Sequence, residues 1–167
     1  MTLEELQKIL TSIAPADREA MDRAKKRQAE LAKPPGSLGK LEDMSIRLAG
    51  ITGQVRNQLE SCRILVFAAD NGVIAEGVSS SPESVTLSQA VNMTRHITGM
   101  SALARYFGNS VVVADVGINA EVRCPAILNR KIRRSTRNLA KEPALTRQEV
   151  LDAMGVGLEL AGQAKEE

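Results

Sequence analysis

The sequence predicts an α/β protein in which an N-terminal helical segment leads into a parallel sheet flanked by helices. Three observations carry this. Ile64-Leu65-Val66-Phe67-Ala68-Ala69 and Ser110-Val111-Val112-Val113-Ala114 are short continuous apolar runs, the pattern of strands buried on both faces. Between them lie a polar loop and two helical patterns, Val85 to His96 and Met100 to Phe107, enough chain for the crossover that parallel strands require. The residues before the first run read as helices. A crossover of this kind is expected to be right-handed.

The helical segment spans residues 1–52 and the α/β part residues 53–167. Thr2 and Glu5 form a capping-box pattern ahead of Leu3, Leu6, Ile9 and Leu10. A second helix opens at Pro15-Ala16-Asp17 and runs towards Lys33, where Pro34 disfavours further helix. Ser37 is expected to cap a third, with Leu38, Leu41, Met44 and Leu48 on one face and Gly50 near its end. After the second apolar run, Arg123 to Arg137 is basic and extended. Thr146 and Glu149 then open a last helix with Val150, Met154, Leu158 and Ala161 on one side. A sheet with two convincing strands is small for a doubly wound fold, so a further part is expected beyond residue 167.

Composition narrows the function. Apolar residues make up 43% and charged residues 25%, ordinary for a globular protein. Aromatics are only 2%, which leaves little with which to stack nucleic-acid bases. A net charge of +2 steers no strongly charged partner. No signal peptide or spanning apolar stretch is evident, so a cytoplasmic protein with no membrane partner is expected. Cys62 and Cys124 are expected to be buried thiols. His96 is the sole histidine and sits where a helix ends, so a capping or solvated role is expected and no metal site.

Both apolar runs end in a carboxylate followed by glycine: Asp70-Asn71-Gly72 and Asp115-Val116-Gly117. Ligands of open parallel sheets bind outside the carboxyl ends of the strands, so both aspartates are site candidates; each could equally cap a turn. The loop Asn71 to Ser84 is long, polar and rich in glycine and serine, as functional loops are. Lys33-Pro34-Pro35-Gly36-Ser37-Leu38-Gly39 reads either as a stiff linker or as an anion-binding approach to a helix. The arginines of the basic stretch suit a solvated edge strand better than a grip on phosphate or RNA.

Taken in order, these segments resemble a known family. Lys33-Pro34-Pro35-Gly36-Ser37-Leu38-Gly39-Lys40-Leu41-Glu42, Phe67-Ala68-Ala69-Asp70-Asn71-Gly72-Val73, Glu76-Gly77-Val78-Ser79, Asn92-Met93-Thr94 and Asp115-Val116-Gly117-Ile118 resemble the nicotinate-nucleotide:5,6-dimethylbenzimidazole phosphoribosyltransferases. The resemblance covers nearly the whole chain but only the N-terminal half of the family's length. It implies a Rossmann-like sheet with a small helical domain, to which residues 1–52 contribute, and a homodimer when full length. It implies transfer of phosphoribose from nicotinate mononucleotide to dimethylbenzimidazole, giving α-ribazole phosphate and nicotinate, with no cofactor, metal or nucleic acid.

By motif position, the resemblance puts Ser81, Pro82 and Gln89 on the base pocket, with Asp70 in a supporting role. Asn71 stands where the family usually has histidine, so it cannot titrate. The family's general base is a glutamate near its C-terminus, expected beyond residue 167; no catalytic residue is assigned within this chain, which is expected to be inactive alone. Two other readings stay open: a non-catalytic benzimidazole or α-ribazole module, or a subunit completed by a second chain. RNA binding through Arg123 to Arg137 ranks below both.

Overall fold

The structure, a computed structural model, describes residues 1–58 and 62–166. They form α1 (Leu3–Ser12), α2 (Arg18–Glu30), α3 (Lys40–Thr52), β1 (Arg63–Ala69), α4 (Ser84–Thr94), α5 (Gly99–Tyr106), β2 (Ser110–Gly117), β3 (Ile127–Asn129) and α6 (Arg147–Glu166). The chain divides into two compact units, Lys8–Glu60 and a second comprising Met1–Gln7 with Ser61–Glu167.

The expected capping box at α1 forms: the Glu5 carboxylate accepts from the Thr2 N–H at 2.7 Å and the Thr2 hydroxyl from the Glu5 N–H at 3.1 Å. Within the helical unit, Asp17 caps α2 by accepting from the Ala20 N–H at 3.0 Å. α2 stops at Glu30, short of Lys33, because Leu31 is already extended. The side chain of Lys33 reaches Glu42 in α3, so a tertiary ion pair shapes this turn, together with Pro34.

Ser37 does not cap α3. The N-cap is Gly39, at φ 54, without a side-chain cap. The expected apolar face is also wrong. Leu38, Leu41 and Met44 are exposed, whereas Ala49 and Gly50 are buried, as are Ala20 and Ala24 of α2. The two helices meet through small residues: a Cβ on Gly50 would stand 2.7 Å from Met21 Cγ. The left-handed residue that ends α3 is Gly53, not Gly50.

The α/β unit matches the expected class. β1, β2 and β3 form a three-stranded parallel sheet in that order. One face packs Val66, Val113 and Ile127 with Ala90 of α4; the other packs Leu65, Ala114 and Leu128 with Val156 and Leu160 of α6. Helices therefore cover both faces, which is why both runs are continuously apolar. The last helix is rotated from its expected setting: Leu151, Val156 and Leu160 are buried, while Val150, Met154, Leu158 and Ala161 are exposed. Two apolar stripes run side by side on this helix, and the sheet takes the other one. Cys62 and Cys124 are free; Cys62 is exposed and Cys124 half-buried, so the expectation of two buried thiols fails. Cys62 lies just before β1, outside the layers that bury the strand itself.

The basic stretch is only briefly a strand, the three residues of β3. Its later cations find acids far away in sequence: Arg130 meets Glu159 at 2.7 Å and Arg137 meets Glu149 at 2.8 Å, both acids on α6. Four of these cations thus serve the fold, Lys131 and Arg133 having ion pairs as well. Glu149 also completes the expected capping box with Thr146. Hydrogen bonds from Arg137, first, and from the Thr146 N–H lower its pKa from 4.5 to about 2. A carboxylate depressed on folding adds stability above its unfolded pKa and loses it as pH falls through the folded one. The Glu149 contribution should accordingly fade between about pH 4.5 and about 2. Thermal melts across that window should show Glu149→Gln with a flatter acid decline than the parent; identical profiles would contradict this.

Ser135 is one of two non-glycine residues at positive φ, here 53°, and its N–H donates to the Gly117 carbonyl at 2.9 Å. It is buried and its hydroxyl has no partner among the described residues. A left-handed L-residue costs about 1–2 kcal/mol, while glycine's added chain entropy costs about 0.5–1. Ser135→Gly should therefore stabilise by about 1 kcal/mol, raising Tm by roughly 2–4 °C. A lowered Tm in calorimetry would show that the serine contributes something else.

Candidate functional site

The two Asp-x-Gly segments lie at one edge of the sheet, as their matching positions predict. β1 and β2 are parallel, Ala68 stands opposite Asp115, and the Asp70 N–H donates to the Gly117 carbonyl at 3.1 Å. Asp115, 1% exposed, behaves as a turn cap. One oxygen accepts from the N–H groups of Gly117 and Ile118 at 3.1 and 2.8 Å, and the other meets Lys131 Nζ at 2.9 Å. Lys131 also donates to the carbonyls of Ile118 and Ala120, so the ammonium pins the loop after β2. Asp70 ties that loop to its own: its carboxylate accepts from the Asn119 N–H at 2.7 Å, and its carbonyl from the Thr136 N–H at 3.0 Å.

Beside Asp70 opens a cavity of about 450 Å³, a size suited to a small flat ligand. Ala69, Asp70 and Asn71 form its inner end. Val73, Ile74 and Val78 come from a short 3₁₀ helix, Gly72–Glu76, and the turn after it. Ser79, Ser81, Pro82 and Glu83 follow, then Val85 and Thr86 of α4, and Leu139 opposite. The lining is thus mainly aliphatic with a few hydroxyls and carboxylates. Leu139 is held by its neighbours: Asn138 donates to Glu76 at 2.5 Å, and Lys141 meets the same oxygen at 3.3 Å.

Three of the four residues assigned from sequence, Asp70, Ser81 and Pro82, line this cavity, and so does Asn71. Gln89 does not; it is exposed on α4, four residues after Val85 and three after Thr86, so it shares their side of the helix. Sequence reasoning missed Glu83, Thr86, Leu139 and Lys131. Glu83 and Thr86 flank residues that were singled out. Leu139 and Lys131 arrive from over forty residues away with no local signal.

The remaining candidates lie elsewhere. Lys33 Nζ sits 2.7 Å from Glu42, both side chains mostly buried, and Glu42 also accepts from the Leu38 N–H at 3.1 Å. These bonds, Lys33 first, hold the Glu42 carboxyl below its usual range. The lysine is committed within its own loop, which favours the stiff-linker reading over anion binding. His96 follows α4 at φ 58 with Nδ1 3.3 Å from the Ser101 carbonyl, a helix-end role. Among the described residues no cluster of histidine, cysteine or carboxylates suits a metal ion, and no helix is long and apolar enough to cross a membrane.

A family model described as DBI_PRT, phosphoribosyltransferase, matches residues 13–167. The chain belongs to the DBI_PRT phosphoribosyltransferase family. Among its relatives, the nicotinate-nucleotide–dimethylbenzimidazole phosphoribosyltransferase of Ruminiclostridium cellulolyticum is 44% identical over 99% of this chain and 46% of the relative. The protein of the same description from Clostridium perfringens is 43% identical over 96% of this chain and 45% of the relative. Of solved DBI_PRT-like folds, the crystal structure of CobT from Thermus thermophilus superposes with a TM-score of 0.80 at 39% identity, covering 89% of this chain and 45% of that one. The chain spans about half the length of the curated relatives it matches. In this family setting the parallel sheet with helices on both faces is the expected Rossmann-like arrangement.

Proposed function

We propose that this chain is the base-binding half of an enzyme that transfers phosphoribose from nicotinate mononucleotide to a benzimidazole, giving α-ribazole phosphate and nicotinate. The observation that carries the reading is the aliphatic cavity at the carboxyl end of β1, lined by Asp70, Ser81 and Pro82, in a chain of this family. A flat heteroaromatic needs apolar faces and one or two polar groups to orient it, which is what this lining offers. The general base is a glutamate supplied by sequence after residue 167; it takes the proton from one ring nitrogen as the other attacks the ribose. Nicotinate departs from a cationic ribosyl bond, so much of the driving force lies in the substrate. The full-length protein is a cytoplasmic homodimer in which residues 1–52 belong to a small helical domain.

The test is an assay for α-ribazole phosphate with this 167-residue chain and with a version extended to the length of its relatives. Turnover is expected only from the longer protein. Clear turnover by the purified shorter chain would return the search for a base to Asp70, Glu76 and Asp115.

Gln89 extends the cavity side of α4 and is assigned a hydrogen bond to the bound base. Such a bond is worth roughly 0.5–1.5 kcal/mol. Gln89→Ala in the full-length protein should raise KM for the base about three- to tenfold, with a smaller change for nicotinate mononucleotide. An unchanged KM for the base in a folded variant would remove Gln89 from the site.

A further inference from the structure

We propose that Glu83, held by Asn119, selects the acceptor base, and that the preferred acceptor is a benzimidazole bearing a hydroxyl on its benzo ring. The inference rests on the reading of the cavity beside Asp70 as the base site. Glu83 is half-buried and lines that cavity. One of its carboxylate oxygens accepts from Asn119 Nδ2 at 3.0 Å; the other has no partner among the described residues.

Asn119 is itself fixed. Its backbone N–H donates to Asp70 at 2.7 Å, and the carbonyls on either side of it, of Ile118 and Ala120, are both gripped by Lys131. The Glu83 carboxylate is therefore tethered to the sheet through Asn119. Around it the cavity wall is largely aliphatic, with Val78 and Leu139 among the lining.

A flat ring entering this cavity displaces water from the free Glu83 oxygen. A carboxylate stripped of water and left without a donor is costly, and one given a donor gains a charge-assisted hydrogen bond. The reaction already uses both nitrogens of the imidazole ring, one to attack and one to lose its proton. The donor must then come from the benzo ring. A methyl group offers none, whereas a phenolic hydroxyl does. Sites built to hydrogen-bond a hydroxyl reject analogues lacking it.

The test is calorimetric titration of the chain with 5-hydroxybenzimidazole and with 5,6-dimethylbenzimidazole. The hydroxylated base should bind tighter by about tenfold or more, the discrimination of a hydrogen bond to a charged group. Glu83→Leu should abolish that gap without weakening the dimethyl base. Asn119→Ala, which keeps the backbone N–H to Asp70, should narrow it, with circular dichroism checking the fold of each variant. Equal affinities in the parent chain, a preference for the dimethyl base, or a gap that survives Glu83→Leu would overturn the assignment while leaving the base site intact. Failure of both bases to bind would overturn the base site and this inference with it.

Discussion

Asp115→Ala should unfold much of the population at temperatures where the parent chain is fully folded. Asp115 is 1% exposed and answers two backbone N–H groups and one ammonium. Removing it leaves the Gly117 and Ile118 N–H groups without their acceptor and Lys131 without its counter-charge. Breaking a buried pair by deleting one partner costs about 3–5 kcal/mol, against total stabilities of about 5–15. Lys131 keeps its two carbonyl acceptors and is 20% exposed, which favours the lower end of that range. Asp115→Asn should cost less, since the amide oxygen still caps the turn. Lys131→Met should be milder again, and a double-mutant cycle should show coupling between the two sites. Denaturant titration measures all three. A loss below about 1 kcal/mol for Asp115→Ala would mean that this turn holds itself without the carboxylate.

Gly72→Val is the second large effect, and it joins stability to binding. A Cβ at Gly72 would stand 2.5 Å from the Thr136 carbonyl oxygen, 2.8 Å from Arg137 C and 2.9 Å from Asn138 N. These are backbone atoms, so no rotamer change relieves the clash. The segment must move, and it carries Leu139, one wall of the cavity. Overpacking of this kind costs about 1–3 kcal/mol, and the displaced wall should weaken base binding as well. Gly77→Ala makes the control: that residue sits at φ 71 with nothing within 4 Å of its built Cβ. It should show only the left-handed penalty, about 1–2 kcal/mol, with base affinity nearly unchanged. If Gly72→Val binds the base as the parent does, the 136–139 segment is not part of the site.

How far the sequence revealed these features depends on whether the determining contact is local. The parallel strands were legible because burial on both faces leaves an unbroken apolar run, as in Val111-Val112-Val113. The capping boxes of α1 and α6 were legible because their partners are three residues apart. The Ser37 cap was misread because Glu42 takes the Leu38 N–H ahead of the helix start and Lys33 takes Glu42. The buried faces of α3 and α6 were misread for a different reason. Both helices offer more than one apolar stripe, and only the partner's shape chooses: small residues against α2, and the Ala114 side of the sheet against Leu160.

The site divides in the same way. Asp70, Ser81 and Pro82 were found from the strand end, the loop and the motif, all within one short segment. The roles of the two aspartates were not separable in sequence, because what distinguishes them lies elsewhere. Lys131 makes Asp115 a structural clamp, and the Asn119 N–H turns Asp70 into a brace between loops. The basic stretch looked like a run of free charge for the same reason. Glu149 and Glu159, which neutralise parts of it, lie on a helix the sequence places well downstream.

The central claim, that the cavity beside Asp70 receives the acceptor base, is tested most directly by mapping amide chemical shifts of the isotope-labelled chain as benzimidazole is added. The account predicts perturbations concentrated at Ala69 to Asn71, Val73 and Ile74, Val78 to Thr86, and Leu139. Shifts centred instead on the neighbouring polar cavity of Asp115, Glu121, Lys131 and Arg134, or no shifts at saturating base, would contradict it.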